Sequence, residues 1–218
     1  MPEAHADGSP VIDLPPLTPF DGALEPDGDY DALAFHGRDL GHQRGHRARL
    51  TRSHLRECDL DEVDLRDARI AECRFEMVTA GTLDAAGAMW RDVELRQTRI
   101  GNFQAFDGDL TRVIVADARL DFVNLRAADL TDVRFARCVI TDLDLGSASA
   151  RRVTFVDCRI KRLDAFQADL VDVDLSTSTV DGFENVGHLR GVTISTVQLA
   201  AVAPAMAAHL GVRISGEV

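Results

Sequence analysis

The side chains with chemistry to offer fall into three sets. Cys58, Cys73, Cys138 and Cys158 are the only cysteines. Structural zinc sites take ligands in closely spaced pairs, and these four keep no such spacing. They read as small buried hydrophobes, with a disulfide or a metal as the alternative. His36, His42, His46 and His54 sit among Arg38, Arg44, Arg47, Arg49, Arg52 and Arg56 in one locally basic stretch. No Cys or carboxylate pairing supports zinc there, so the stretch reads as solvated surface, or as a basic edge for an acidic partner. The third set is acidic and recurs every twenty residues: Asp64, Asp84, Gln104, Asn124, Asp144, Asp164 and Glu184. Stacked in a row, these carboxylates either imitate a row of phosphates or serve as turn-forming residues, and both readings stand. None of the sets implies a cleft with convergent polar groups, which catalysis needs. No catalytic residue, cofactor or metal site is therefore expected.

The elements that would position these residues follow from a repeat. Every fifth residue from Leu50 to Val180 is apolar, twenty-seven in succession. The residues two before these centres are small or apolar throughout: Ala, Gly, Ser, Thr, Cys or Val, save Leu83, Phe103, Leu143 and Leu163. Neither series contains Asp, Glu, Lys or Arg. A composition that is 28% charged would place about 15 charges there by chance.

A five-residue period fits neither regular element. On a helix it scatters the apolar positions round the cylinder, and on a flat strand it sends successive centres to opposite sides. It fits a chain that turns a corner every five residues, so that four corners close a square coil of twenty. Two residues per side then point inward. The columns agree: positions 48, 68, 88, 108, 128, 148 and 168 are all Ala except Gly108, and 93, 113, 133, 153 and 173 are all Val. Leu83, Phe103 and Leu163 each precede an alanine centre, so large offsets small and the interior stays filled. Leu143 beside Leu145 departs from that rule. Phe106, Phe122 and Phe166 fall at outward positions.

After residue 190 the period changes. Ser195 and Gln198 form a capping-box pair, and Val197, Leu199, Val202, Met206 and Leu210 follow at helical spacing. Gly211 suits the end of a helix, and Pro204 is expected to kink it or start a second. This helix either caps the open coil, whose last rung exposes unpaired backbone, or packs against its copy in a homodimer.

Segments such as Ala128-Asp129-Leu130-Thr131-Asp132, Ala168-Asp169-Leu170-Val171-Asp172, Cys58-Asp59-Leu60-Asp61-Glu62 and Val173-Asp174-Leu175-Ser176-Thr177 resemble the pentapeptide-repeat family motif, small–(Asp/Asn)–(Leu/Phe)–x–x. The resemblance covers roughly residues 33–190. It implies an all-β fold, a right-handed quadrilateral β-helix, here with a C-terminal α-helix. Coils spaced about 4.8 Å apart would make a rod roughly 32 Å long. Well-known members bind bacterial DNA gyrase and protect it from quinolones, or inhibit it, with a rod resembling duplex DNA. The ending Leu189-Arg190-Gly191-Val192-Thr193-Ile194-Ser195, then Gln198, then Leu210-Gly211-Val212, is similar to that of the quinolone-resistance subgroup. The resemblance thus implies a non-enzymatic interaction protein with gyrase as partner and Asp64, Asp84, Asp144, Asp164 and Glu184 as the contact row. The alternative is a scaffold protein with another partner. The register never slips between 48 and 182, so the coil carries none of the projecting loops on which several resistance proteins depend.

Composition sets the remaining bounds. The 218 residues carry 36 acids and 24 bases, a net charge of −12. Residues 1–32 hold eight of those acids and no Lys or Arg, which leaves −4 for residues 33–218. Direct nucleic-acid binding is not expected of so acidic a chain. No apolar run is long enough to span a membrane, no signal peptide is evident, and free cysteines suit a reducing cytoplasm. Three segments are expected: an acidic, proline-rich leader over 1–32, the solenoid over 33–190, and a helical cap or dimerisation segment over 191–218. The leader is either extended and partly disordered, or docked along a flank or edge through Val11, Ile12, Leu14, Leu17 and Phe20.

Overall fold

The computed structural model describes residues 12–213. Its body is a β-solenoid of about eight turns, followed by a single helix near the C-terminus. Every strand pair is parallel, and the rungs repeat at twenty residues: Trp90 lies opposite Leu110, Ile100 opposite Leu120, and Leu120 opposite Ile140. The four sides are numbered here by their centres: Leu50, Leu55, Leu60 and Leu65 begin the first to fourth faces. All the centres from Leu50 to Val180 are buried. So is every residue two before a centre except Ala168, which is half-buried. The odd period is accommodated by turning the backbone, as the charge-free series demands.

Three of the corners turn through the left-handed region. The residue two after the centre takes a φ near +55° at Arg52, Asp67, Asp92, Arg112, Asp132 and their equivalents. That conformation disfavours residues with a Cβ by about 1–2 kcal/mol. It is offset where the N–H reaches the coil above, as from Arg52 to the Ala71 carbonyl at 3.0 Å and from Arg137 to that of Val156 at 2.8 Å. Between the third and fourth faces, from Thr82 onward, no such turn occurs. Six-residue strands such as Thr79–Asp84, Arg99–Gln104 and Arg159–Asp164 wrap that corner unbroken.

The interior is filled by matched sizes. Trp90 packs on Phe75 and Phe103 at ring separations of 5.6 and 5.8 Å, with alanines at 80, 85 and 105 making the room. Phe135 and Phe155 stack face to face at 4.8 Å. Leu143 and Leu145 are both buried.

Each end departs from the twenty-residue register. At the start, Thr18–Pro19 pairs with Leu33–Ala34, fifteen residues on, enough for three sides. The chain then crosses the open end. Phe20 packs on Tyr30 and Phe35 at 5.5 and 5.0 Å, and the Leu24 N–H donates to Gln43 Oε1 at 2.7 Å. Within the described residues the leader is therefore docked; Val11 lies outside them. At the other end, Val192 pairs with Val173, nineteen residues back. Gly191 makes this closure possible: its φ is +87°, and a Cβ there would lie 1.8 Å from the Leu170 carbonyl oxygen. One α-helix, Thr196–His209, runs on through Pro204, and no second helix starts there.

Candidate interaction surfaces

The acidic row runs along the fourth face, and five of its seven members are tied to the turn that follows them. Asp64, Asp84, Asn124, Asp144 and Asp164 each accept the backbone N–H two residues on, at 2.8–3.3 Å. These are Asx-turns, which supply a local partner to an otherwise unpaired turn N–H. Arginines intervene as well. Arg66 donates twice to Asp64, at 2.9 and 2.7 Å, and lies 3.6 Å from Asp84. Arg126 reaches both oxygens of Asp144 at 3.2 Å, and Arg162 reaches Glu184 at 3.2 Å. The Arg66 hydrogen bond, more than its charge, holds the Asp64 carboxyl below the usual carboxylate range. Gln104 and Asn124 join side chain to side chain at 2.7 Å. The row is thus assembled, as the spacing predicted, with its carboxylates shared between turns and guanidinium groups.

The corners carry a second pattern that the five-residue reading did not single out. Successive coils place Asp92, Arg112, Asp132, Arg152 and Asp172 in one column. Arg112 forks onto Asp92, and Arg152 onto Asp132. Arg137 with Asp117 and Arg47 with Asp27 repeat the fork on neighbouring corners. Isolated exposed pairs of this kind contribute little stability, but in columns they neutralise the corners. The signal was present in the sequence as opposite charges twenty residues apart. On the third face the reverse holds: Arg99, Arg119 and Arg159 are exposed, with no ion pair among the described residues.

The C-terminal helix divides the five apolar residues assigned to it. Val202 is buried and Met206 half-buried against the core, while Val197, Leu199 and Leu210 are exposed. The strongest tie is polar. Buried Gln198 donates from Nε2 to the carbonyls of Leu175 and Ser178, at 2.9 and 2.8 Å. Those are carbonyls of the last rung, which no further coil covers.

A family model described as pentapeptide repeats matches the chain in eight copies, over residues 46–77 and 118–157. The matched stretches are pentapeptide repeats. No curated protein matches its sequence. Among solved structures it is similar to full-length QnrB1, a plasmid-mediated fluoroquinolone resistance protein. Identity is 14% and the TM-score 0.34, over 82% of this chain and 99% of that one. It is also similar to HetL, involved in heterocyst differentiation regulation in the cyanobacterium Nostoc sp. strain PCC 7120. There identity is 16% and the TM-score 0.32, over 78% of this chain and 90% of that one.

The pentapeptide coil explains the remaining chemistry-bearing residues. All four cysteines are free and buried at the position two before a centre. Burial pushes the Cys73 thiol up to about 12 and raises that of Cys58. The Cys138 N–H donates to Cys158 Sγ one coil above, at 3.4 Å. His36 and His54 share the second face on paired strands, while His42 and His46 stand on other sides of the coil. His42 meets Glu62 at 2.9 Å and His54 meets Glu76 at 3.1 Å. Among the described residues no three metal-binding side chains come together. Of the outward phenylalanines, Phe166 is exposed and contacts His188 edge-on at 5.5 Å. The pentapeptide strip most altered by the leader is the second face. There, buried Glu94 accepts the Ile12 N–H at 3.0 Å and Arg74 donates to the Ile12 carbonyl at 2.8 Å.

Proposed function

We propose that the protein is a non-enzymatic interaction rod and that its partner is DNA gyrase. The observation that carries the first half is the filled coil. Its inward positions are occupied by packed side chains from end to end, so its chemistry is confined to flat, register-locked rows on the outside. Rows at a fixed spacing suit recognition of another macromolecule. The second half rests on the pentapeptide-repeat match and on the Gly191-Val192…Gln198…Leu210-Gly211 ending, together with the acidic row on the fourth face. On this reading Asp64, Asp84, Asp144, Asp164 and Glu184 contact the partner. Val197, Leu199 and Leu210 form a homodimer seam while Val202 and Met206 cap the coil. The division into 1–32, 33–190 and 191–218 assigns the partner surface to the middle segment. No helix among the described residues is long and apolar enough to cross a membrane, and a cytoplasmic location goes with the proposed partner.

A supercoiling assay with purified gyrase, with and without a quinolone, tests the reading. Micromolar protein should inhibit supercoiling or relieve the drug's effect; no effect and no binding would remove gyrase as partner. Replacing Asp144 and Asp164 with Asn leaves an acceptor for the Gly146 and Phe166 N–H groups, so the fold should persist while binding weakens. Unchanged affinity would remove the row from the contact. A second reading, a scaffold with another protein partner, is favoured by the Asp–Arg columns, which cancel charge where a DNA mimic would keep it.

A further inference from the structure

Glu94 stands at an outward position of the second face, where the repeat normally leaves charges in solvent. Its side chain is 1% exposed. One carboxylate oxygen accepts the Ile12 N–H, and the other faces Arg96 Nε at 3.1 Å and Arg74 Nε at 3.5 Å. Arg74 closes the circuit by donating to the Ile12 carbonyl. Both backbone groups of one residue are therefore held by side chains of the rod. This is main-chain recognition of an extended segment, as in strand addition, performed by a carboxylate and a guanidinium.

The segment itself lies along the rod. Thr18 pairs with Leu33, and Ala34, His54, Arg74 and Glu94 follow one another in register. Ile12 and Thr18 are thus about four rungs, or roughly 19 Å, apart. Six residues span at most about 20 Å, so the chain is drawn nearly straight, as Pro15 and Pro16 favour. Ile12, Leu14, Pro15 and Leu17 are half-buried and Asp13 and Pro16 exposed; none is fully buried. The strap is anchored at its ends and lightly seated between them. If it lifts, Glu94 keeps Arg74 and Arg96, so the clamp stays formed.

We propose that Glu94 and Arg74 form a peptide-binding clamp on the second face, which residues 12–17 occupy in cis as a displaceable strap. The ligand in trans is an extended, acidic, proline-bearing segment of a partner protein. Arg56, Arg74 and Arg96 on the same strip supply positive charge for an acidic segment. The inference is independent of whether gyrase is the partner.

The test uses the full-length protein and a fluorescein-labelled peptide with the sequence of residues 8–19, followed by anisotropy. Ile12→Pro removes the strap's N–H donor without touching the rod, and an unchanged melting curve checks that. A strap that closes the clamp nine-tenths of the time raises the apparent Kd about tenfold, so Ile12→Pro should bind the peptide about tenfold more tightly than wild type. A second peptide, with proline at the position of Ile12, should not bind either protein. Equal affinity of wild type and variant, no binding by the variant, or equal binding of the two peptides would each overturn the proposal.

Discussion

Replacing Gln198 with Ala should detach the C-terminal helix while leaving the distant coils intact. The Gln198 side chain makes three hydrogen bonds: to the Leu175 and Ser178 carbonyls at 2.9 and 2.8 Å, and from the Ser195 N–H at 2.6 Å. A buried polar group left without a partner costs about 1–3 kcal/mol. The penalty has a ceiling, because the stranded carbonyls regain water if the helix lifts. What the docked helix gains from apolar contact is chiefly burial of Val202 and partial burial of Met206, each worth at most about 1.5–3 kcal/mol. The two quantities are similar, so the helix should undock in a large fraction of molecules. In a stacked coil each rung contacts only its neighbours, so the damage should be local. Hydrogen exchange should show lost protection over Thr196–His209 and Thr179–Glu184, with Arg99–Gln104 unchanged. Ser195→Ala, which removes only the cap, should cost about 1 kcal/mol. Unchanged protection of the helix in the Gln198 variant would refute the role assigned to the side chain. Equal loss along the whole rod would refute the locality.

Three further outcomes follow from the same contacts. Gly191→Ala should break the pairing of Val192 with Val173, a loss of about 1–3 kcal/mol or more from backbone strain alone, read as lowered thermal stability; a wild-type melting curve would contradict the 1.8 Å clash. Phe155→Ala removes one half of a stacked pair in a sealed interior and should cost about 3–5 kcal/mol in urea titration; a loss below about 1 kcal/mol would mean that the coil collapses round the gap. Burial, only partly opposed by Glu76, lowers the His54 pKa from its ordinary 6.5. The unfolded chain therefore takes up a proton that the folded one resists, and stability present above 6.5 is lost as pH falls through the lowered value. His54→Gln should flatten stability against pH over that window, and an unaltered slope would refute the assignment.

The coil was legible because its rule concerns what is absent. A charge cannot enter a sealed interior without a partner, so two charge-free series at a period of five fix which residues point inward. Those residues could be assigned one by one, Trp90 and the stacked Phe135 and Phe155 included. The outward rows were legible as rows but not as chemistry. The recurrence of Asp at 64, 84, 144 and 164 is visible, whereas the Asx-turns that engage them depend on turn geometry. Glu94 was hidden for a related reason. Its position in the repeat is that of an ordinary solvated charge, and only the path of the leader buries it. The tail shows the converse. Gly191 and Gln198 were recognised as parts of a signature, and the structure supplies their physics: one lets the last rung approach, and the other satisfies its carbonyls.

The net charge of −12 says less about the partner than its distribution does. The corners cancel in Asp–Arg columns, which Asp27 and Asp31 of the leader join through Arg47 and Arg52. Uncancelled charge gathers in the arginines of the third face, beside a fourth-face row whose carboxylates at 64, 84, 144 and 184 lie against Arg66, Arg126 and Arg162. Arg159–Asp164 begins with a basic residue of the third face and ends with an acidic residue of the fourth. Arg99–Gln104 and Arg119–Asn124 begin the same way. A duplex mimic would need one sign over a broad arc, and this rod presents a basic row beside a partly neutralised acidic one. The boundary between them does not add much affinity, but it fixes the rotation of the rod about its axis when a partner docks, since turning it by one face sets like charges together. A partner with complementary rows at the spacing of the coils would be held in one orientation. The same protein with Arg99 and Arg119 replaced by Glu should lose that partner even if every carboxylate of the fourth face is kept.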